Sequence, residues 1–331
     1  MRPNENLLSN FMLKSNNESF NKMLIQCEKV AKSKTNILLI GESGTGKEVA
    51  AKYIHMCSSR CNNNFVAVNC SSYTESLLES ELFGYEQGSF TGAIKSKQGK
   101  FELANNSTLF LDEVGEINMS TQVKLLRVLE TKKVERLGSN EEKHIDFKLI
   151  SATNRDLTSE VMKGNLREDF FYRISSIVIH VPPLRERKED LDELIKYFLE
   201  LSQKENDIKI NNIDSEAFEF LLNYDYPGNI RELKSIIDRM VVLSTDGIIT
   251  KDGIPILFNI HKKSQSTLNT SLISNKTNSI IPFRNFKEET ESEYLQWVLA
   301  QTGGNVAEAA RKLEISSRQL FNKIRDYNLQ K

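Results

Sequence analysis

Short continuous apolar runs alternate along this 331-residue chain with stretches whose apolar positions recur every three or four residues, the pattern of a parallel sheet flanked by helices. Phe20, Met23, Leu24, Cys27 and Val30 share one helical stripe, 37–40 is an apolar strand, and Val49, Ala50, Tyr53 and Ile54 open the next helix. Further strands are predicted at 65–70, 109–113, 147–154 and 177–181, separated by helical patterns over 75–83 and through Val123, Leu125, Leu126, Val128 and Leu129. Pro182-Pro183 stops the last strand, since proline offers no ladder donor. Beyond it only helical periods remain, over 190–204 and 215–224, and a third restarts after Tyr226-Pro227-Gly228 with Asn229 as its cap. Residues 259–285 are rich in Ser, Asn, Thr and Lys without a period and predict a flexible tether. Order resumes at Phe286 with helical patterns through Leu295 and Val298, over 306–313, and from Ser316 onward. The expected fold class is α/β with a parallel central sheet, then a helical subdomain, then an all-α module. The boundaries expected are an extension at 1–16, the α/β part at 17–183, the helical part at 184–258, the tether at 259–285 and the terminal module at 286–331.

Composition changes this picture little. With 39% hydrophobic and 27% charged residues and a formal net charge of −1, the chain has no global field to recruit nucleic acid, so DNA binding must come from a local surface. The four cysteines (Cys27, Cys57, Cys61, Cys70) lack a zinc spacing and read as reduced thiols, which with no apolar stretch of membrane-span length places the expected site of action in the cytosol. The 1–16 segment has no room for a sensory domain, so control is expected to act through a partner, through abundance or by direct sensing within the modules.

The chemistry begins directly after the first strand. Gly41, Glu42, Ser43, Gly44, Thr45, Gly46, Lys47 and Glu48 form a glycine-rich turn leading into a helix. Such a turn directs backbone N–H groups and a helix N-terminus at a polyphosphate, and Lys47 adds a cation at the β- and γ-phosphates. The alternative is a plain glycine-rich turn. A nucleoside triphosphate with Mg²⁺ is the expected ligand, although Glu48 stands where a Mg²⁺-binding Ser or Thr usually follows the lysine. The strand at 109–113 ends in Asp112 and Glu113, placed to hold Mg²⁺ and to activate water respectively, where the bland reading is a solvated acidic turn. Asn69, ending its strand, is equally a site residue or a cap at a strand-to-helix turn.

Between these motifs lies Gly88, Ser89, Phe90, Thr91, Gly92 and Ala93, a loop with a glycine near each end and an aromatic at its tip, preceded by Glu79-Ser80-Glu81-Leu82-Phe83-Gly84. This stretch resembles the GAFTGA hallmark of the AAA+ activators of sigma-54 RNA polymerase, with Ser89 at the usual alanine. The resemblance runs over about residues 20–250 and implies a P-loop AAA+ module with a helical lid. It implies that Phe90 and Thr91 press on sigma-54 RNA polymerase holoenzyme, that Thr153 and Asn154 sense the γ-phosphate, and that Arg231 contacts phosphates from the lid, where the alternative is an arginine paired with Glu232 or Asp238. It also implies that Arg167 and Arg173 reach a neighbour's nucleotide within a homo-oligomer, a hexameric ring, in the bacterial cytoplasm.

Two short helices joined at Glu314-Ile315-Ser316 have the spacing of a helix-turn-helix, with Ser317, Arg318, Gln319, Asn322 and Lys323 as candidate DNA contacts; a helical dimerisation tail is the alternative. The stretch resembles the Fis-type end of the same activators, in which positions 317 and 322 are often basic. The function expected is an ATPase that binds enhancer DNA and converts a closed promoter complex to an open one. A nucleotide-gated DNA-binding regulator without sigma-54 remodelling is the other reading.

Overall fold

A computed structural model describes residues 15–90, 92–253, 291–292, 294–299, 302, 305–313 and 315–327. The tether over 259–285 and Thr91 lie outside these residues. The chain divides into two compact units, Met1–Ile256 and Leu257–Lys331.

In the first unit, strands β1 (Ile37–Ile40), β2 (Phe65–Asn69), β3 (Ser107–Asp112), β4 (Phe147–Thr153) and β5 (Ile177–His180) form one parallel sheet in the order β2-β3-β4-β1-β5. Both faces are covered, so the central strands are buried nearly throughout rather than on alternate residues. The pleat sends Leu38, Leu109, Leu111 and Leu149 to one face, against Leu82, Phe101, Leu125 and Phe170. Leu39, Phe110, Ile150 and Ala152 go to the other, against Phe20, Cys27, Ala51 and Ile54. Because the strands run parallel, the ends of β1, β2, β3 and β4 meet at one edge, with Asn69 opposite Asp112 and Ile40 opposite Thr153. Ligand clefts form at such an edge.

The helix Glu18–Ala31 starts where Asn17 accepts the Phe20 N–H, and it buries Phe20, Met23, Leu24, Cys27 and Ala31 along one stripe. Its C-terminal carbonyls meet an unusual partner. Lys148, on β4 and 3% exposed, donates to the carbonyls of Val30, Ala31 and Ser33 at 2.7, 2.7 and 2.8 Å. Burial, with the Arg60 guanidinium adding to it, pushes the Lys148 ammonium down to about 8. An unfolded lysine holds its proton to about 10.4, so folding releases a proton between these values and the contribution of this group to stability rises with pH from about 8 to about 10. Lys148→Met is expected to cost about 1–3 kcal/mol at pH 7 through the orphaned carbonyls, and to flatten that rise. Urea midpoints at pH 7.5, 8.5 and 9.5 check this, and parallel pH profiles for both proteins would exclude Lys148 as the titrating group.

The helical subdomain consists of Leu191–Asn206, Ser215–Asn223 and Asn229–Val242, with Leu194, Ile195 and Phe198 buried on the first helix and Leu233, Ile236, Ile237 and Met240 on the third. A two-residue parallel ribbon, Asn212–Ile213 with Ile248–Ile249, joins them; such short pairings leave no periodic signal in the sequence. The loop that carries Phe90 rises from another ribbon, Gly84–Tyr85 with Lys97–Gln98. No described helix is long and apolar enough to cross a membrane.

The second unit contains the helices Val306–Lys312 and Ser317–Asp326 and a helical turn over 294–299. Ala309 and Ala310 let the elements approach closely around Leu295, Val298, Leu299, Leu320 and Ile324. Asn305 caps the first helix, and Ser316 with Gln319 forms a reciprocal capping box on the second.

Candidate nucleotide site and loop

The turn after β1 is held open by glycines. Gly44 and Gly46 have φ of +78° and +99°, a left-handed backbone that residues with a Cβ rarely adopt. Lys47, the first residue of the helix Lys47–Met56, is buried and folds back to donate to the Gly41 and Glu42 carbonyls at 2.9 and 3.1 Å. Its ammonium also lies 3.9 Å from Glu113 Oε1. Burial lowers the Lys47 pKa, opposed by the Glu113 and Asp112 carboxylates.

Asp112 ends β3 half-buried, and burial raises its pKa. Glu113 follows with φ +54°, donates its N–H to Asp112 Oδ1 at 3.0 Å, and accepts the Asn154 N–H on Oε2 at 3.2 Å. The β4 end thus touches the second carboxylate through its backbone amide. Asn69 is exposed and accepts from Ser71 N–H and Ser71 Oγ at 3.0 and 2.7 Å, which is the capping geometry.

From the lid, Arg231 donates to Ser43 Oγ at 2.9 Å and not to Glu232 or Asp238. Glu232 instead accepts the Gly228 N–H at 2.6 Å and closes the first turn of its helix. Asn229 is therefore not the cap expected from the sequence. It is the first helical residue, fully buried, with φ +53°. Its side chain turns inward to the phosphate loop, and the cap position belongs to Gly228.

Gly44, Thr45, Gly46, Lys47, Asp112, Glu113 and Arg231 line one cleft of about 380 Å³. The same cleft is also lined by the apolar and aromatic side chains of Phe20, Met23, Val181, Leu194, Tyr197 and Phe198, the kind of lining that accepts a planar base. Arg187, 2% exposed, stacks over the Phe20 ring at 3.6 Å and bonds Asp190 at 2.8 Å. Asp190 also accepts from Ser15 Oγ and the Asn16 N–H at 2.6 and 2.8 Å, so residues placed in the N-terminal extension by sequence are fastened to this wall. A buried arginine-carboxylate pair has no periodic signature, and the Leu184–Arg187 run is legible only as charge after Pro182-Pro183.

As for a divalent cation, the two adjacent carboxylates Asp112 and Glu113 that line the cleft are a hard-oxygen donor set that fits Mg²⁺. Glu48 is exposed on the first turn and paired with Lys52 at 2.7 Å.

Arg167 and Arg173 do not line this cleft. Arg167 is partly exposed, in a two-bond pair with Asp169 at 3.0 and 2.8 Å, and Arg173 is exposed, donating to the Leu129 carbonyl at 2.9 Å. The Gly88–Ala93 loop projects from the 84–98 ribbon, whose base is bonded to a hairpin, Lys133–Glu135 with Glu142–His144, through Glu86 N–H to Leu137 O at 3.0 Å and Arg136 to Glu86 at 3.0 Å. Gly88 and Gly92 have φ of +83° and +104° and open space around them. Phe90 is 46% exposed, its ring edge-on to Tyr85 at 5.0 Å. Ser89 packs its Cβ where Gly138 leaves room, and its buried hydroxyl has no partner, so nothing in this arrangement requires the oxygen that distinguishes it from alanine.

In the second unit Ser317, Arg318, Gln319 and Asn322 are exposed, with Gln319 bonded to Ser316 in the capping box. Lys323, expected to face outward, is half-buried and paired with Glu291, because its position adjoins the Leu320–Ile324 stripe.

Three family models match the chain: a sigma-54 interaction domain over residues 13–180, an AAA+ ATPase lid domain over 185–271, and a bacterial regulatory protein domain of the Fis family over 287–327. The transcriptional regulatory protein ZraR of Escherichia coli is 39% identical over 316 residues, 96% of this chain and 69% of that protein. The regulatory protein AtoC of the same organism is 42% identical over 304 residues, 91% of this chain and 64% of that protein. A crystal structure of NtrX from Brucella abortus in complex with ATP superposes with a TM-score of 0.68 at 31% identity, covering 96% of this chain and 69% of that one. The chain thus spans about two thirds of the length of the relatives it matches. By its nucleotide-site module, its lid and its terminal domain together, the chain belongs to the sigma-54-dependent transcriptional activators.

Proposed function

We propose that this chain is an ATP-hydrolysing activator that binds enhancer DNA and remodels sigma-54 RNA polymerase holoenzyme from a closed to an open promoter complex. The observation that supports the reading is the pairing, within one module, of a cleft lined by Lys47, Asp112, Glu113 and Arg231 with the Gly88–Ala93 loop, whose aromatic is exposed between two unobstructed glycines. In this reading Gly41–Glu48 cradles the triphosphate of ATP and Lys47 leaves the loop carbonyls for the β- and γ-phosphates. Asp112 would hold Mg²⁺, which when bound supplies charge neutralisation at the phosphates. Glu113 orients and accepts a proton from the attacking water, Asn154 and Asn69 report on the γ-phosphate end, and Arg231 closes the lid.

Arg167 and Arg173, which lie outside the cleft, act in trans on a neighbouring subunit of a hexameric ring, which makes turnover depend on assembly. Phe90 and Thr91 contact sigma-54, while the exposed Ser317, Arg318, Gln319 and Asn322 of the terminal module face DNA in the cytoplasm of the bacterial cell. The test is permanganate footprinting of a sigma-54 promoter pre-loaded with holoenzyme. Strand opening is expected with ATP and not with AMP-PNP. ATP hydrolysis with the promoter still closed would favour a nucleotide-gated DNA binder instead.

A further inference from the structure

Three consecutive lid residues bond three consecutive residues of the phosphate loop. Asn229 Nδ2 donates to the Ser43 carbonyl at 3.0 Å and to Glu42 Oε2 at 3.2 Å, Ile230 N–H donates to the Gly44 carbonyl at 3.0 Å, and Arg231 donates to Ser43 Oγ at 2.9 Å. Glu42 is held from its other side by Arg185 through two bonds of 2.7 Å. The approach is so close that a Cβ on Gly44 would lie 2.3 Å from the Gly228 carbonyl oxygen. Asn229 is the centre of this contact. Its Oδ1 accepts the Leu184 N–H at 2.8 Å, on the strap between sheet and lid, while its amide donates to the loop. A fully buried side chain with both ends bonded, on a backbone at φ +53°, has one orientation available.

We propose that Asn229 is a positioning residue that joins the phosphate loop, the strap and the lid helix, and so fixes where Arg231 meets the phosphates. The inference rests on the nucleotide role of Arg231 given above. Asn229 itself touches no nucleotide in this arrangement; it acts through Ser43 and Arg231. Asparagine suits the task because it tolerates the left-handed backbone and carries a donor and an acceptor on a short stem.

A double-mutant cycle on the full chain tests this, with AMP-PNP binding measured by calorimetry in the presence of Mg²⁺. Glycine at 229 accepts the φ +53° backbone and deletes only the side chain. In the wild-type background Arg231→Ala is expected to weaken binding about tenfold or more, the ordinary worth of a charge-assisted bond. In the Asn229→Gly background the same change is expected to cost less than threefold, because Arg231 is no longer held in place. Asn229→Asp, which keeps the acceptor for Leu184 and removes both amide donors, is expected to lose the coupling as well, and it serves if the glycine variant folds poorly. An Arg231→Ala factor undiminished in both Asn229 backgrounds would overturn the positioning role and leave the nucleotide reading standing. No effect of Arg231→Ala in the wild-type background would overturn the phosphate role of Arg231, and the coupling with it.

Discussion

Glu113→Gln is expected to lower ATP turnover by about 10²–10⁴-fold, the usual span for a lost general base, with ATP affinity within about threefold of wild type. The argument starts from the backbone. Glu113 sits one residue past the end of β3 in the left-handed region at φ +54°, a conformation that costs of order 1–3 kcal/mol for a residue other than glycine and persists where surrounding contacts enforce it. Here they do, through its N–H bond to Asp112 and the Asn154 N–H bond to its carboxylate. Glutamine has the same shape and its amide oxygen accepts the Asn154 N–H equally well, so the turn and the cleft remain. What disappears is the basic oxygen beside Lys47, 3.9 Å away. Phosphate release and equilibrium ATP binding, measured on the same preparation, separate the two effects. Turnover at the wild-type rate would remove Glu113 as the group that activates water.

Much of this site is legible in the sequence because its parts are local. The Gly41–Glu48 turn, the strand ending in Asp112 and Glu113, and the Phe90 loop each occupy a short run whose residue types follow from backbone conformation and charge. The five sheet strands are visible for the same reason, each being a short run dominated by apolar residues, buried nearly throughout in the three central strands and partly exposed in the two edge strands. The strand order is not visible, since it depends on which crossovers pack together and not on any one run. The clasp between lid and phosphate loop is hidden more deeply. Gly228-Asn229 reads as a turn and a cap, a sound local inference, and only the docking of the lid reveals that Glu232 closes the helix while the Asn229 side chain is recruited 187 positions back in the chain to Glu42. The family resemblance directs Arg231 to the phosphates, and in the structure it bonds Ser43 of the phosphate loop rather than forming the surface pair with Glu232. The Arg187–Asp190 pair against Phe20 lacks even a local hint, because nothing in a charged tripeptide says that one guanidinium is 2% exposed.

Phe90→Ala is expected to leave ATP turnover within about twofold of wild type and to abolish promoter opening. The two activities can part because the loop and the cleft share no residue. Phe90 lies on a segment between Gly88 and Gly92, neither of which has any atom within 4 Å of where a side chain would grow, so the segment can swing without disturbing the sheet. Its anchorage is at the base, through Glu86 and Leu137 and through Arg136, which binds Glu86 and Glu102. The aromatic ring contributes little to the fold. It is 46% exposed and rests edge-on against Tyr85, a contact worth about 0.5–1.5 kcal/mol, so its removal costs the module little stability. An exposed aromatic is instead the kind of residue that anchors a protein interface, where truncation to alanine commonly costs 2 kcal/mol or more. Opening of a pre-loaded sigma-54 promoter, followed with wild type and Phe90→Ala at equal ATPase activity, gives the answer. Equal opening by both would mean that hydrolysis reaches the polymerase by some other surface, whereas ATPase activity that falls along with opening would show that the loop is needed for turnover itself, and would break the separation of cleft and loop on which the coupling argument depends.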